Sequence, residues 1–493
     1  MESTLPHWLH KQAELKPHEK AIETGGGSSL SFLELHEQSK RYAAYFEEKG
    51  IKLEDHVAVL SSNRLEMVLA IHALSYLGAV VVLLNTRLTP DELAFQIKDA
   101  EVSCLITEED FYSKGEAAIR KAGLADCPII QYHLIKTNRK SPDAIRKEIM
   151  LDEVFTIIYT SGTTGSPKGV QLTYGNHWAS AISSALNLGL SQNDKWLICL
   201  PMFHVGGFSA LIKNVVYGMP VLLMERFEEQ KVNHAIKNSG VTIVSVVSVM
   251  LQRLIEDLRD ERLPGHFRCM LLGGGPAPKP LLENAKDKAI PVFQTYGMTE
   301  TASQIVTLSP KDALKKLGSA GKSLSTARLE IDAARGEIGE IKVKGPMVTT
   351  GYYKREKATT EALSDGWLAT GDLGYQDEEG FLYVVDRRKD LIISGGENIY
   401  PAEIESVLSG MKGIMEAGVT GIEDPRWGQV PAAFVVTQKE SALNETDVLR
   451  YCRDHLAGYK CPKEVHFVEK LPRNASNKLL RRELPAFRKD VEN

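Results

Sequence analysis

The sequence has no Cys-x-x-Cys pair. Its six cysteines (Cys104, Cys127, Cys199, Cys269, Cys452 and Cys461) are scattered over 493 residues. That spacing supports neither a zinc site nor a disulfide framework and predicts a chain kept reduced. A basic excess is missing too: lysine plus arginine number 59 against 64 aspartates and glutamates, a formal net charge of −5. General nucleic-acid binding needs a basic surplus, so no nucleic-acid partner is expected. Long apolar runs are also lacking. The most apolar stretch, Met67 to Leu84, is broken by His72, Ser75 and Tyr76, and reads as a buried helix followed by a strand at Ala79–Leu84 rather than a membrane span. No basic segment followed by an apolar run opens the chain, so no signal peptide is expected. The protein is expected to be soluble and cytoplasmic, without membrane insertion. Internal repeats and low-complexity tracts are absent.

Hydrophobic residues make up 43% and charged residues 25%, the balance of a soluble globular protein. Domains usually run to roughly 100–200 residues, which predicts two to four of them. Up to about residue 385 the chain alternates helical spacing with continuous apolar strands such as "VVVLLN", "VTIVSVVSVM" and "FRCMLLGGG". Such strands, separated by helices, predict an α/β fold of stacked, mostly parallel sheets covered on both faces. Residues 318–385 carry shorter alternating strands with glycine turns and predict a β-rich subdomain. From Asp390 a strand–helix–strand–helix pattern predicts a compact α+β unit of about 100 residues. The expected division is 1–385 as a large N-terminal domain, 386–390 as a hinge in the charged "DRRKD", and 391–493 as a small mobile C-terminal domain.

The most informative segment is "IIYTSGTTGSPKGV", Ile157 to Val170. A buried strand runs into glycines and small hydroxyl residues, which expose backbone N–H and O–H donors, and Lys168 adds a positive charge. These are the parts that hold a polyphosphate. The segment is not a Walker A loop, because Pro167 precedes the lysine and Gly169 follows it. A plain surface loop is the commoner origin of such composition, but not directly after a buried strand and with a lysine.

"YTSGTTGSPKG" resembles the phosphate-binding signature of the acyl-adenylate-forming enzymes. "PMFHVGG" (201–207), "YGMTE" (296–300), "TGD" (370–372), "DRRKDLIISGGENIYPAEIE" (386–405) and "NASNK" (474–478) resemble further motifs of that family, in the family's order. The resemblance implies ATP, Mg²⁺ and coenzyme A as reactants and cofactor, and a small-molecule carboxylic acid as partner. For ATP and AMP it implies Thr160, Ser161, Gly162, Thr163, Thr164, Lys168, Gly274, Gly275, Tyr296, Gly297, Thr299, Asp372 and Arg387. Glu300 is implied on the metal, as a hard cation bridging phosphates wants a carboxylate. Lys478 is implied as the catalytic lysine that stabilises charge at the α-phosphorus, and His204 as a catalytic or acyl-pocket residue. Lys389 matches the hinge about which the small domain rotates between half-reactions, and Gly395 and Gly396 the route of the thiol. Taken singly, each of these residues has a bland alternative: a turn aspartate, a surface lysine, a core histidine.

The stretch Gln294 to Pro310 resembles o-succinylbenzoate–CoA ligases of menaquinone biosynthesis more than fatty-acyl or acetyl ligases. A substrate with two carboxylates and a ring predicts a partly polar acyl pocket, for which His204, Ser245, Ser248, Gly273, Ser303 and Gln304 are candidates. Another aryl- or medium-chain acyl-CoA ligase and a stand-alone carrier-loading adenylation enzyme stay open as alternatives, as does a homo-oligomer. A kinase or P-loop NTPase is disfavoured by the missing Walker pattern, and a non-enzymatic nucleotide binder by Glu300, Asp372, Arg387 and Lys478 occurring together.

Overall fold

In the computed structural model the residues described are 3–135, 145–160, 167–275, 277–387, 390–394, 397–424, 427–438, 441–456, 458–474 and 479–488. Two large sheets dominate. One has seven strands in the order Gly351–Tyr352, Lys168–Thr173, Val154–Thr160, Val80–Leu84, His56–Leu60, Cys104–Thr107, Ile129–Gln131. It is parallel from Val154–Thr160 onward and antiparallel at the edge nearest the glycine-rich segment. The other has nine strands. Its centre, Val292–Met298, Cys269–Gly273, Ile243–Val247, Trp196–Ile198 and Val221–Leu223, is parallel.

The continuous apolar strands follow from burial on both faces. Along His56–Leu60, Val57 and Val59 enter the core shared by the two sheets, whereas Ala58 and Leu60 enter a separate cluster beneath helices Pro90–Asp99 and Glu109–Ala122. Period-2 alternation persists, but both faces are dry, so both read as apolar. The helix Leu65–Leu77 lies in the shared core, with Met67 through Tyr76 all buried, and strand Val80–Leu84 follows it. This explains an apolar stretch with no amphipathic stripe. Among the described residues no helix is long and apolar enough to cross a membrane, and all six cysteines are free.

A five-stranded antiparallel sheet follows, made of Arg328–Ile331, Gly339–Lys344, Trp367–Gln376, Leu363–Ser364 and Leu382–Arg387. Its last strand carries on through Arg387, which pairs with Asp372, so regular structure reaches into the segment expected as a hinge. A further five-stranded sheet begins at Ile392–Ser394 and has cores on both faces. One is built by Ile392, Ile404, Leu408, Val419 and Val435, the other by Ile422, Val430, Phe434 and Leu484. Arg481 ties its first residues to a helix, donating to Asp390 Oδ2 at 2.8 Å and to both oxygens of Glu405 at 2.8 and 2.7 Å.

Candidate active site

The glycine-rich segment closes a hairpin. Strand Val154–Thr160 is buried at its centre and returns antiparallel as Lys168–Thr173, with Thr160 opposite Lys168. Ser161, Gly162, Thr163 and Thr164 lie outside the described residues, but their two posts are defined. Lys168 Nζ sits 4.9 Å from the centroid of the Tyr352 ring, within cation–π range. Tyr352 in turn donates its phenol to Glu300 Oε1 at 3.1 Å. Burial and the neighbouring Glu300 both push that phenol above its ordinary range, so it remains a donor.

Glu300 lies in the turn between two antiparallel strands of the nine-stranded sheet, Val292–Met298 and Ser303–Leu308. The register slips between Tyr296 and Gly297, and a Cβ at Gly297 would stand 2.0 Å from the Ser303 carbonyl oxygen. Only glycine fits. The turn is also strained, with Ala302 at φ +51° and Ser303 at φ +143°, values L-residues avoid and functional sites often hold. Thr301, fully buried, braces it: its Oγ1 donates to the carbonyls of Met298 (3.1 Å) and Ser303 (2.7 Å) and accepts from the Met298 N–H (3.0 Å). Neither Thr301 nor this strain was anticipated from sequence; a threonine directly after "YGMTE" was the available signal.

Tyr296 points from the same strand to the antiparallel subdomain, donating to Asp372 Oδ2 at 2.8 Å. Asp372 is buried, and its N–H donates to Thr370 Oγ1 at 3.1 Å. Gly274 and Gly275 leave the end of the neighbouring strand at φ +87° and +151°, where side chains are disfavoured. Three sheets thus send Lys168, Glu300, Tyr296 and Asp372 to one junction, together with Thr299 of the turn. The expectations at Lys389, Gly395, Gly396 and Lys478 lie outside the described residues. For Arg387 only the backbone is described.

His204 caps the helix Val205–Tyr217. Burial first, and Arg87 second, hold its imidazole down to about 4, so it is neutral at ordinary pH. Its Nε2 is buried without a hydrogen-bond partner among the described residues. Asn63, buried at the end of strand His56–Leu60, fixes the preceding turn: it accepts from the Met202 N–H (2.8 Å) and donates to the carbonyls of Leu200 (2.8 Å) and Met224 (3.2 Å). Ser303 reaches Ser209 of the His204 helix, Oγ to Oγ 3.4 Å. Ser245 accepts from Trp196 Nε1 at 3.2 Å, Ser248 opens the helix Ser248–Leu258, and Gly273 lies opposite Val247 at the strand ends. Gln304 turns the other way, donating to Ser184 at 2.9 Å while its carbonyl oxygen is buried and unbonded among the described residues.

A second residue missed from sequence is Lys213. It is 1% exposed, donates to Ser209 Oγ at 3.1 Å and lies 5.0 Å from the centroid of a Trp196 ring. No carboxylate among the described residues pairs with it. Burial lowers its ammonium to about 7, slightly opposed by Cys269. A buried cation without a counter-ion is costly, and Ser209 links this one to Ser303. The signal was available: a lone lysine inside the apolar run "FSALIKNVV".

The chain matches the AMP-binding enzyme family over residues 9–353 and the AMP-binding enzyme C-terminal domain over 403–478. It is 55% identical to a 2-succinylbenzoate–CoA ligase of Oceanobacillus iheyensis, over 98% of this chain and 100% of that protein. Among solved structures it is similar to o-succinylbenzoate CoA synthetase from Bacillus subtilis in complex with its acyl-adenylate intermediate, with 46% identity, 99% of each chain covered and a TM-score of 0.92. The same Bacillus subtilis enzyme in complex with ATP and magnesium ion gives 47% identity, coverage of 98% of this chain and 100% of that one, and a TM-score of 0.91.

Proposed function

Because the chain belongs to the AMP-binding enzyme family, we propose that it is an ATP-dependent acid–thiol ligase that converts 2-succinylbenzoate to its coenzyme A thioester. The likeness to ligases of that acid runs the full length of the chain. In the first half-reaction a carboxylate oxygen attacks the α-phosphorus of ATP, pyrophosphate leaves and an acyl-adenylate remains. In the second, the coenzyme A thiol attacks the acyl carbon, loses its proton and displaces AMP. The place of this step is menaquinone biosynthesis, in the cytoplasm.

The observation that carries the choice of acid is Lys213. An acid with one carboxylate spends it on the phosphorus. A second carboxylate gives Lys213 the counter-ion that the described protein residues do not supply, with Ser209 and Ser303 hydrogen-bonding beside it. His204, neutral and with an open nitrogen, is suited to the wall of that pocket; Ser245, Ser248 and Gly273 are assigned to its floor.

For the nucleotide we assign Thr160, Lys168 and the intervening Ser161, Gly162, Thr163 and Thr164 to the phosphates, with Thr299. Gly274, Gly275, Tyr296 and Gly297 are assigned to the adenine, Asp372 to the ribose hydroxyls and Arg387 to ribose or phosphate. Magnesium usually takes one or two carboxylates and completes its shell with phosphate oxygens and water. Glu300, joined through Tyr352 to the lysine that follows the phosphate segment, fits that role, and the ion would neutralise charge on the phosphates. Lys478 is assigned to the charge that builds at the α-phosphorus. Once the adenylate has formed, that lysine has to leave and the thiol has to enter. We therefore assign 386–390, with Lys389, as the hinge of a mobile unit 391–493, and Gly395 and Gly396 to the thiol route.

The test is pyrophosphate release with MgATP across o-succinylbenzoate, benzoates and fatty acids, with and without coenzyme A. Turnover confined to o-succinylbenzoate is expected. Turnover on another acid alone would overturn the substrate, and ADP as product would overturn the reaction.

A further inference from the structure

We infer that Tyr352 is a positioning residue for the metal-binding carboxylate and the phosphate-binding lysine, holding Glu300 through its hydroxyl and Lys168 through its ring. The inference rests on the nucleotide site assigned above. One side chain contacts both groups: the phenol donates to Glu300 Oε1 at 3.1 Å, and the ring faces Lys168 Nζ at 4.9 Å.

The two contacts suit the two charges. A neutral hydroxyl orients the Glu300 carboxylate without cancelling its negative charge. The ring face attracts the ammonium without consuming its three N–H donors, which remain for phosphate oxygens. Tyrosine serves two opposite charges at once; phenylalanine would serve only the lysine, and aliphatic residues neither.

The backbone around Tyr352 is fastened as a positioning role requires. Its residue pairs with Val170, two positions after Lys168, and the Tyr353 N–H donates to the Gly169 carbonyl at 2.8 Å. The Tyr352 N–H donates to Thr359 Oγ1 at 3.0 Å. Gly351, at φ +142°, has no room for a side chain, since a Cβ would lie 2.5 Å from Thr359 Cγ2. On the other side the Thr349 N–H donates to the Glu300 carbonyl at 2.8 Å. The segment therefore bonds both to the strand that carries Lys168 and to the turn that carries Glu300.

Calorimetric titration of ATP into the full-length chain, without metal and over a series of Mg²⁺ concentrations, separates the two contacts. Tyr352→Phe keeps the ring. It is expected to leave metal-free ATP binding unchanged and to raise the Mg²⁺ needed for tight binding about tenfold, the scale of one hydrogen bond to a charged group. Tyr352→Leu is expected to weaken metal-free binding as well. With Mn²⁺ in place of Mg²⁺, the electron paramagnetic resonance spectrum of the Tyr352→Phe complex should report an altered coordination sphere. A Tyr352→Phe chain matching wild type at every metal concentration, or weakened equally with and without metal, would overturn the inference and leave the function intact. Absence of ATP binding by the wild type would overturn both.

Discussion

Replacing Lys213 by methionine, of similar length but uncharged, should make the protein more stable and a worse enzyme. Burial moves the ammonium from 10.5 to about 7, which corresponds to roughly 5 kcal/mol against the folded state when the group is protonated. Below the folded value both states are protonated and that cost is fully present. Between about 7 and 10.5 only the unfolded chain holds the proton, so the cost declines as pH rises, and above 10.5 it vanishes. Near pH 7.5 roughly 4 kcal/mol should remain, enough to raise the melting temperature of Lys213→Met by about 5 °C or more. Melting curves at pH 7.5 and 9.5 check this, because the gap to wild type should narrow at the higher pH. In activity assays KM for o-succinylbenzoate should rise about 10- to 100-fold, the scale of a charge-assisted hydrogen bond, while KM for ATP stays unchanged. Benzoates without a second carboxylate should not distinguish the two proteins. An unchanged KM for o-succinylbenzoate, or a melting temperature lowered at both pH values, would refute the reasoning.

Gly297→Ala forces a methyl group to within 2.0 Å of the Ser303 carbonyl oxygen; it should destabilise the protein by about 1–3 kcal/mol or more and weaken ATP binding in calorimetry. Lys478→Ala should abolish pyrophosphate release yet spare thioester formation from supplied acyl-adenylate, and equal loss of both half-reactions would remove the assigned role. His7, His72 and His177 are all buried and held below the ordinary 6.5, the last two at about 3. Above pH 6.5 they are neutral whether folded or not. As pH falls below it the unfolded chain takes up protons that the folded one refuses, so His72 and His177 should each cost about 2 kcal/mol by pH 5, with His7 acting in the same direction, measurable as a falling urea midpoint.

The parallel layers were legible because each strand is buried on both sides: Val57 and Ala58 face different cores, yet both had to be apolar. The glycine-rich segment stood out because glycines and small hydroxyl residues follow an apolar strand, whereas "YGMTE" and "TGD", the latter inside the strand Trp367–Gln376, were singled out through the family resemblance. What escaped was tertiary. Nothing in the spacing of residues 296 and 372 tells that a phenol would meet a carboxylate across two sheets. Gln304 and Ser303 are neighbours with the same apparent promise, but the pleat sends one to Ser184 and the other to Ser209. Lys213 was hidden by the assumption that a lysine is a surface residue, although its run of apolar neighbours said otherwise.

The fold separates the two recognition problems of the reaction. The strands that flank the glycine-rich segment, Val154–Thr160 and Lys168–Thr173, belong to the seven-stranded sheet, whereas His204, Ser209 and Lys213 ride on one helix packed on the nine-stranded sheet. The turn from Gly297 to Ser303 reaches toward both, since Glu300 accepts from Tyr352 and Ser303 reaches Ser209. That turn is rigid by construction: strained at two residues, braced by Thr301, and closed to any side chain at Gly297. On the assignments proposed above, rigidity there would hold the acid pocket and the nucleotide site in fixed relation, and a misplacement of about 1 Å can cost roughly 100-fold in rate. Substitutions on the helix Val205–Tyr217 should therefore change which acid is accepted and leave ATP recognition alone, whereas substitutions in the turn should damage both together.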